Sequence, residues 1–208
     1  MAMAHAHHAA FFYGTLMAPP VLHRVLWASP TPPTPAHATQ LRIRPAVLHA
    51  HQRHRVRHAD YPALVPASPS ASVRGTLVEG LSDADLWRLD VFEGHEYART
   101  RVDVRLLRDA DADADADGPP ITADTYVWVA GRERLEAQEW DFVHFVQDKM
   151  QAWVGDHEPA ADQGFRDVDD AVAALRDPTG GRGVHGDIAR QLTAGAAPRE
   201  DKLLESAL

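Results

Sequence analysis

Two segments of this chain carry polar groups in positions suited to chemistry. In the first, Glu93 follows the apolar pair Val91-Phe92 and precedes Gly94, so we expect its neighbours to keep much of the water away from its carboxyl group. Burial raises the pKa of a carboxyl group towards the range in which proton transfer is effective at neutral pH. Glu93 is therefore a candidate general acid or base, and a solvated or helix-capping glutamate is the alternative.

The second segment is Phe12-Tyr13-Gly14-Thr15-Leu16, where an apolar, aromatic run ends in a glycine and a hydroxyl residue. When a turn of this kind precedes a helix, its consecutive backbone N–H groups can hold a carboxylate or an oxyanion. The segment therefore predicts a site for a small anionic group, and a tight turn without a ligand is the alternative.

Two further segments have the character of pocket walls. Tyr61-Pro62-Ala63-Leu64-Val65-Pro66 combines an aromatic side chain with a stiff backbone, and Glu96-Tyr97-Ala98-Arg99 places a phenol and a guanidinium soon after Glu93. Either segment could equally pack against a sheet without touching a ligand.

An acidic repeat resembles a calcium-binding loop. The run Asp113–Gly118 matches the first half of such a loop, and Asp124 falls at its twelfth position. That loop needs a helix on each side, whereas strand-like segments flank this one and Pro119-Pro120 stiffens it. We interpret the repeat as a solvated acidic hairpin loop.

Histidines are numerous, with 13 in the chain, and imidazole is a common metal ligand. They include two clusters: His5, His7 and His8, then His49, His51, His54 and His58. The second cluster alternates with Arg53, Arg55 and Arg57, whose charge repels a cation. We predict no metal site and interpret this segment as a solvated basic strand edge. Metal or nucleic-acid binding through it is an alternative hypothesis.

Composition narrows the function classes. The 208 residues carry a net charge of −9, although residues 1–59 contain no acidic side chain and hold six arginines. A globally acidic chain argues against a dedicated nucleic-acid binder, while the basic third permits a local anion site. The chain has no cysteine, no apolar stretch approaching about 20 residues and no signal-peptide pattern at its start. We therefore expect a cytoplasmic protein that does not enter membranes.

Apolar periodicity places these groups on short strands and helices. The predicted strands are residues 9–13, 41–50, 61–65, 73–78, 100–107 and 125–129. The predicted helices are residues 19–27, a capped helix from Ser82 that stops at Gly94, an amphipathic helix from Trp140 to Trp153, and a short one near Val168–Arg176. Most connections between strands are too short for parallel crossovers. We predict an α+β domain over residues 9–154, with a largely antiparallel, barrel-like sheet, a flexible N-terminus (1–8) and a C-terminal extension of unknown role (155–208).

An ordered set of motifs resembles the γ-glutamylcyclotransferase-like superfamily, in its avirulence-induced-gene-like branch from plants and fungi. The motifs cover about residues 10–154 and are Phe12-Tyr-Gly-Thr-Leu-Met17, Tyr61-Pro-Ala-Leu-Val-Pro66, Val73-Arg-Gly-Thr-Leu77, Leu89-Asp-Val-Phe-Glu-Gly-His-Glu-Tyr97 with Arg99, Thr125-Tyr-Val-Trp128 and Glu139-Trp-Asp-Phe142. The resemblance implies a small mixed barrel with helices packed around a central cavity.

The resemblance also implies a reaction, in which a γ-glutamyl amide cyclises to 5-oxoproline and releases an amine or amino acid without a cofactor. By matching positions, Glu93 would be the acid/base. Tyr13, Gly14, Thr15 and Leu16 would hold the substrate's carboxylate or oxyanion, and Tyr97 would line the pocket. Glutathione-pathway members carry Ser-Asn where this chain has Thr15-Leu16, which leaves the leaving amine open. A catalytically silent binding or stress-response protein on the same fold is the alternative.

Overall fold

A closed barrel of five strands lies at the centre of the protein in a computed structural model that describes residues 7–107, 118–154 and 163–176. The chain divides into two units, Met1–Val168 and Asp169–Leu208. The barrel belongs to the first unit, and the described part of the second is the last half of one helix.

The described residues form seven strands: β1 (His8–Phe12), β2 (Arg42–His49), β3 (His51–Arg55), β4 (Pro62–Pro66), β5 (Ser72–Leu81), β6 (Tyr97–Leu106) and β7 (Ile121–Trp128). The barrel has the order β1-β5-β2-β6-β7, and β3 pairs with β4 in a separate two-stranded sheet. All neighbours are antiparallel except β1 and β7, which close the barrel in parallel at Ala10 and Asp124. The prediction of an α+β fold with a mixed, largely antiparallel barrel is confirmed.

Side chains that alternate along the strands fill the barrel. Phe11 is fully buried there against Leu77, Val104 and Ala123. His8, which sequence analysis assigned to the N-terminal segment, is the first residue of β1. Because this packing fixes β1 along its length, the residues that follow Phe12 leave the barrel at a defined point.

The helices are α1 (Pro19–Trp27), α2 (Pro35–Gln40), α3 (Asp83–Glu93), α4 (Phe142–His144), α5 (Met150–Val154) and α6 (Gln163–Arg176). Short 3-10 turns cover Thr15–Met17, Gly94–Glu96 and Arg132–Arg134. In α3, Ser82 and Asp85 form the expected capping box, and Gly94, with a φ of 62°, ends the helix where the sequence predicts.

The amphipathic helix predicted from Trp140 to Trp153 exists as a helical run over residues 142–154, but it begins two residues later than predicted and contains a π-helical turn. The carboxylate of Asp141 accepts hydrogen bonds from the amides of Val143 and His144, so the helix begins only at Phe142. A π-helical turn over Phe145–Lys149 then separates α4 from α5 and changes which side chains face inward. Val143, in the first turn of this run, is 59% exposed.

None of the helices within the described residues has the length and apolarity that crossing a membrane requires.

Candidate active site

A cavity of about 310 Å³ lies where β1 leaves the barrel, beside the end of α3. Its size is at the lower end of the range for small-molecule sites, about 300–1,000 Å³. Its described lining consists of residues 12–16, Tyr61, Pro62, residues 91–97, Tyr126, Trp153, Gln163, Gly164 and Asp167. Every residue proposed from sequence as catalytic or substrate-binding is among them: Tyr13, Gly14, Thr15, Leu16, Glu93 and Tyr97.

Glu93 is the last residue of α3 and lies half-buried in the cavity wall. Among the described residues, none forms a hydrogen bond or ion pair with its carboxyl group. Burial, and then the negative charge of Asp90, raise the pKa of Glu93 to about 8. The cavity thus contains a carboxyl group that holds a proton at neutral pH and has no protein partner in the described structure.

The loop after β1 lines the same cavity. Two hydrogen bonds close its 3-10 turn, from Met17 N to the Gly14 carbonyl (3.0 Å) and from Ala18 N to the Thr15 carbonyl (3.1 Å). Within the described part of the chain, the amides of Gly14, Thr15 and Leu16 donate to no acceptor. Consecutive free amides of this kind can stabilise a carboxylate or a developing oxyanion.

Close packing explains the glycine in this loop. A Cβ atom at Gly14 would lie 2.7 Å from Cγ of Pro62 and 2.9 Å from its Cδ, distances that real Cβ atoms do not tolerate. Tyr97 holds this proline in place, since its hydroxyl donates to the Pro62 carbonyl at 2.9 Å. Tyr97 therefore contributes its ring to the cavity wall and its hydroxyl to the position of the loop.

All four tyrosines of the chain line the cavity, and each hydroxyl donates to a protein acceptor. The pairs are Tyr13 to the Tyr126 carbonyl (2.6 Å), Tyr61 to Glu96 (2.9 Å), Tyr97 to the Pro62 carbonyl (2.9 Å) and Tyr126 to Asp90 (2.9 Å). Burial is the main cause that raises the pKa of every one of these phenols, that of Tyr61 to about 12. They stay protonated at neutral pH and shape the site, whereas the carboxyl group of Glu93 can exchange a proton with a ligand.

The basic segment of β3 has a structural role at this site. Arg53 donates to the Tyr13 carbonyl and to Glu139, both at 2.8 Å, and its guanidinium lies 5.5 Å from the ring centre of Trp140. Its side chain is only 11% exposed. The prediction that this segment is a solvated basic edge is therefore wrong for Arg53, because that side chain is used inside the protein to hold the end of β1.

Sequence reasoning missed three parts of the site: Asp90, Tyr126 and the first turn of α6. Asp90 precedes Glu93 by three residues, which places both on one face of α3, and this spacing could have identified it. Asp90 also pairs with Arg99 at 3.2 Å. The apolar spacing of Phe165 and Val168, both buried, is the signal that α6 begins at Gln163 and packs against the protein.

Metal binding through the histidines was one alternative hypothesis from the sequence. Within the described residues, no group of three or more His, Cys, Asp or Glu side chains is arranged so that it could hold a metal ion. His51 and His54 each direct Nδ1 to a backbone carbonyl, that of His49 and that of Glu136, both at 2.9 Å. Residues 108–117, which contain Asp113, Asp115 and Asp117 of the calcium-loop pattern and most of the hairpin loop proposed in its place, lie outside the described structure, as do His5 and residues 177–208.

Comparison with known proteins identifies the family of this chain. Residues 10–142 match the family model described as "Gamma-glutamyl cyclotransferase, AIG2-like". Protein AIG2 C of Arabidopsis thaliana is 33% identical over 65% of this chain and 70% of its own length, and AIG2-like protein D is 31% identical over 71% and 84%. A solution structure of another Arabidopsis thaliana protein superposes with a TM-score of 0.48 and 27% identity, covering 67% of this chain and 80% of that one. The chain therefore belongs to the AIG2-like gamma-glutamyl cyclotransferase family.

Proposed function

We propose that this protein is a cyclotransferase that converts a γ-glutamyl amide into 5-oxoproline and a free amine. The substrate's α-nitrogen attacks its own γ-carbonyl carbon, and the bond from that carbon to the leaving nitrogen breaks. One proton moves from the α-nitrogen to the leaving nitrogen, so all atoms balance within the substrate. Because nucleophile and electrophile are tethered, the protein needs only to fold the substrate and to move that proton.

The observation that carries this proposal is the placement of Glu93 in one cavity with the free amides of Gly14, Thr15 and Leu16. The amides suit the oxyanion that forms on the γ-carbonyl oxygen, where a dry cavity strengthens their hydrogen bonds. Glu93 suits this proton transfer. With the α-nitrogen present as the free amine, the Glu93 carboxyl group gives its proton to the leaving nitrogen and takes back the proton that the attacking nitrogen loses.

The pKa of Glu93 matches this task. The α-ammonium group of a peptide has a pKa of about 7.7–8.0, and that of Glu93 is about 8. Proton exchange between the two groups is therefore nearly balanced in free energy, the condition under which acid/base catalysis is most effective. The reactive complex holds a single proton on this pair, so we expect kcat/KM to peak near pH 8 and to fall on either side.

The test is the release of 5-oxoproline from a panel of γ-glutamyl amines and γ-glutamyl amino acids. We expect Glu93→Gln to lower kcat by about 10²–10⁴-fold, the usual contribution of a general acid/base, while the variant still binds the substrate. Glu96→Gln is the matched control in the same cavity, because it keeps an acceptor for Tyr61 and loses only the charge that pairs with Arg134. It should keep its rate within about fivefold, the scale of a partly exposed ion pair.

Two results would count against the proposal. Full activity of Glu93→Gln would remove Glu93 from the acid/base role. Binding of γ-glutamyl ligands without any turnover by the wild type would favour the alternative, a silent binding protein on the same fold.

A further inference from the structure

The first turn of α6 forms one wall of the cavity, although it lies beyond residues 10–142, which match the family model. Phe165, 1% exposed, packs its ring 5.2 Å from that of Phe92 and 6.3 Å from that of Trp153. A Cβ atom at Gly164 would lie 3.1 Å from the Phe92 ring, so the helix backbone is pressed closely against the neighbour of Glu93. This packing anchors the start of the helix at the site.

Two polar side chains of that turn face the cavity. Gln163 and Asp167 are four residues apart and so lie on one side of the helix, and Gln163 Nε2 donates to Asp167 Oδ1 at 2.7 Å. Within the described structure this amide is the sole hydrogen-bond partner of Asp167. Its second carboxylate oxygen is therefore available to a ligand at the exposed rim of the cavity.

The charge of the cavity favours a cation at this rim. The described residues that line it include no Lys or Arg, and His95 is their one histidine. Glu96 is neutralised by its ion pair with Arg134, and Glu93 holds a proton at neutral pH. Asp167 is thus a carboxylate in the lining whose charge no described cation balances.

We propose that Gln163 and Asp167 form the subsite for the leaving amine and that Asp167 selects γ-glutamyl conjugates whose leaving group carries a positive charge. This inference rests on the proposed function, since it places the γ-glutamyl part between Glu93 and the Gly14–Leu16 amides. Asp167 is a specificity-determining residue in this scheme, and it takes no part in proton transfer.

The experiment compares γ-glutamylcadaverine, whose leaving group ends in an ammonium, with γ-glutamylpentylamine, its neutral counterpart of equal chain length. The full-length wild type is expected to prefer the cadaverine conjugate in kcat/KM by about fivefold, the scale of a partly exposed ion pair. Asp167→Asn should abolish this preference. Asp167→Lys should reverse the charge selection and favour the conjugate of δ-aminovalerate, which ends in a carboxylate.

Asp148→Asn is the matched control, because Asp148 is also a helical carboxylate bonded to a side chain four residues away, His144 at 2.7 Å, and is not part of the described cavity lining. It should leave the preference unchanged. Turnover of both conjugates with a preference that Asp167→Asn does not alter would overturn the inference and leave the proposed function intact.

Calorimetric binding of the same conjugates separates the two proposals. If the wild type releases no 5-oxoproline, a binding preference that depends on Asp167 would support the subsite while the proposed function fails. Equal affinity for both conjugates, or binding of neither, would overturn the subsite.

Discussion

Glu93 makes the stability of the protein depend on pH in a way that needs no substrate to measure. Its pKa rises from the ordinary value of 4.5 to about 8 because burial and the charge of Asp90 disfavour the carboxylate. Between these two pH values the folded protein keeps a proton that the unfolded chain has lost. The contribution of this proton to stability is therefore fully present below pH 4.5 and is lost as the pH rises to about 8.

The structure gives the size of the effect. Each unit of pKa difference between the folded and unfolded states corresponds to about 1.36 kcal/mol, so the full change is about 5 kcal/mol. Glu93→Gln has no proton to lose in this range. We expect the free energy of unfolding of the variant, relative to wild type, to increase by up to about 5 kcal/mol between pH 4.5 and pH 8.

Urea denaturation followed by the fluorescence of the five tryptophans measures this difference at a series of pH values. Glu133→Gln removes an exposed glutamate at the same change in net charge and is expected to alter stability by no more than about 0.5 kcal/mol at any pH. If the difference in free energy of unfolding between Glu93→Gln and wild type stays constant from pH 4.5 to 8, the reasoning is refuted, because water would then solvate the Glu93 carboxylate in the folded protein.

Two further substitutions test the surroundings of the site. Asp90→Asn removes the charge that disfavours the Glu93 carboxylate, so the pH of maximal kcat/KM should fall by about half to one unit; an unchanged profile would mean that burial alone sets this pKa. Gly14→Ala places a Cβ atom 2.7 Å from Pro62 Cγ and should lower stability by about 1–3 kcal/mol and impair turnover. Gly118→Ala, whose Cβ atom meets no described atom within 4 Å, is its control, and equal urea midpoints for these two variants would contradict the contact.

Local signals located the two main parts of the site from sequence. Ser82 and Asp85 begin α3 and Gly94 ends it, so caps alone place Glu93 at a helix terminus. The aromatic run of β1 ends before Gly14, which places the turn. These features depend on residues close together in the chain, whose preferences are readable without knowledge of the fold.

The misjudged features depend on distant residues. From sequence alone, Arg53 is expected to be a surface charge. In the structure it donates hydrogen bonds to Tyr13 and Glu139, which are distant in the chain. The sequence after Trp140 predicts a helix without interruption, and the π turn in that helix is visible only in the structure. Sequence patterns report what a segment prefers alone, and tertiary contacts decided both of these cases.

The location of Asp167 outside residues 10–142 separates two tasks within one cavity. In the proposed scheme, cyclisation depends on Glu93 and the Gly14–Leu16 amides, whereas contact with the leaving amine comes from α6. A contact remote from the reacting atoms is made equally in the bound substrate and in the transition state, so it lowers KM without raising kcat. Asp167→Asn should therefore raise KM for the cadaverine conjugate at nearly constant kcat, the reverse of what Glu93→Gln does. In that case the range of amines this protein accepts can change through α6 while its chemistry stays the same.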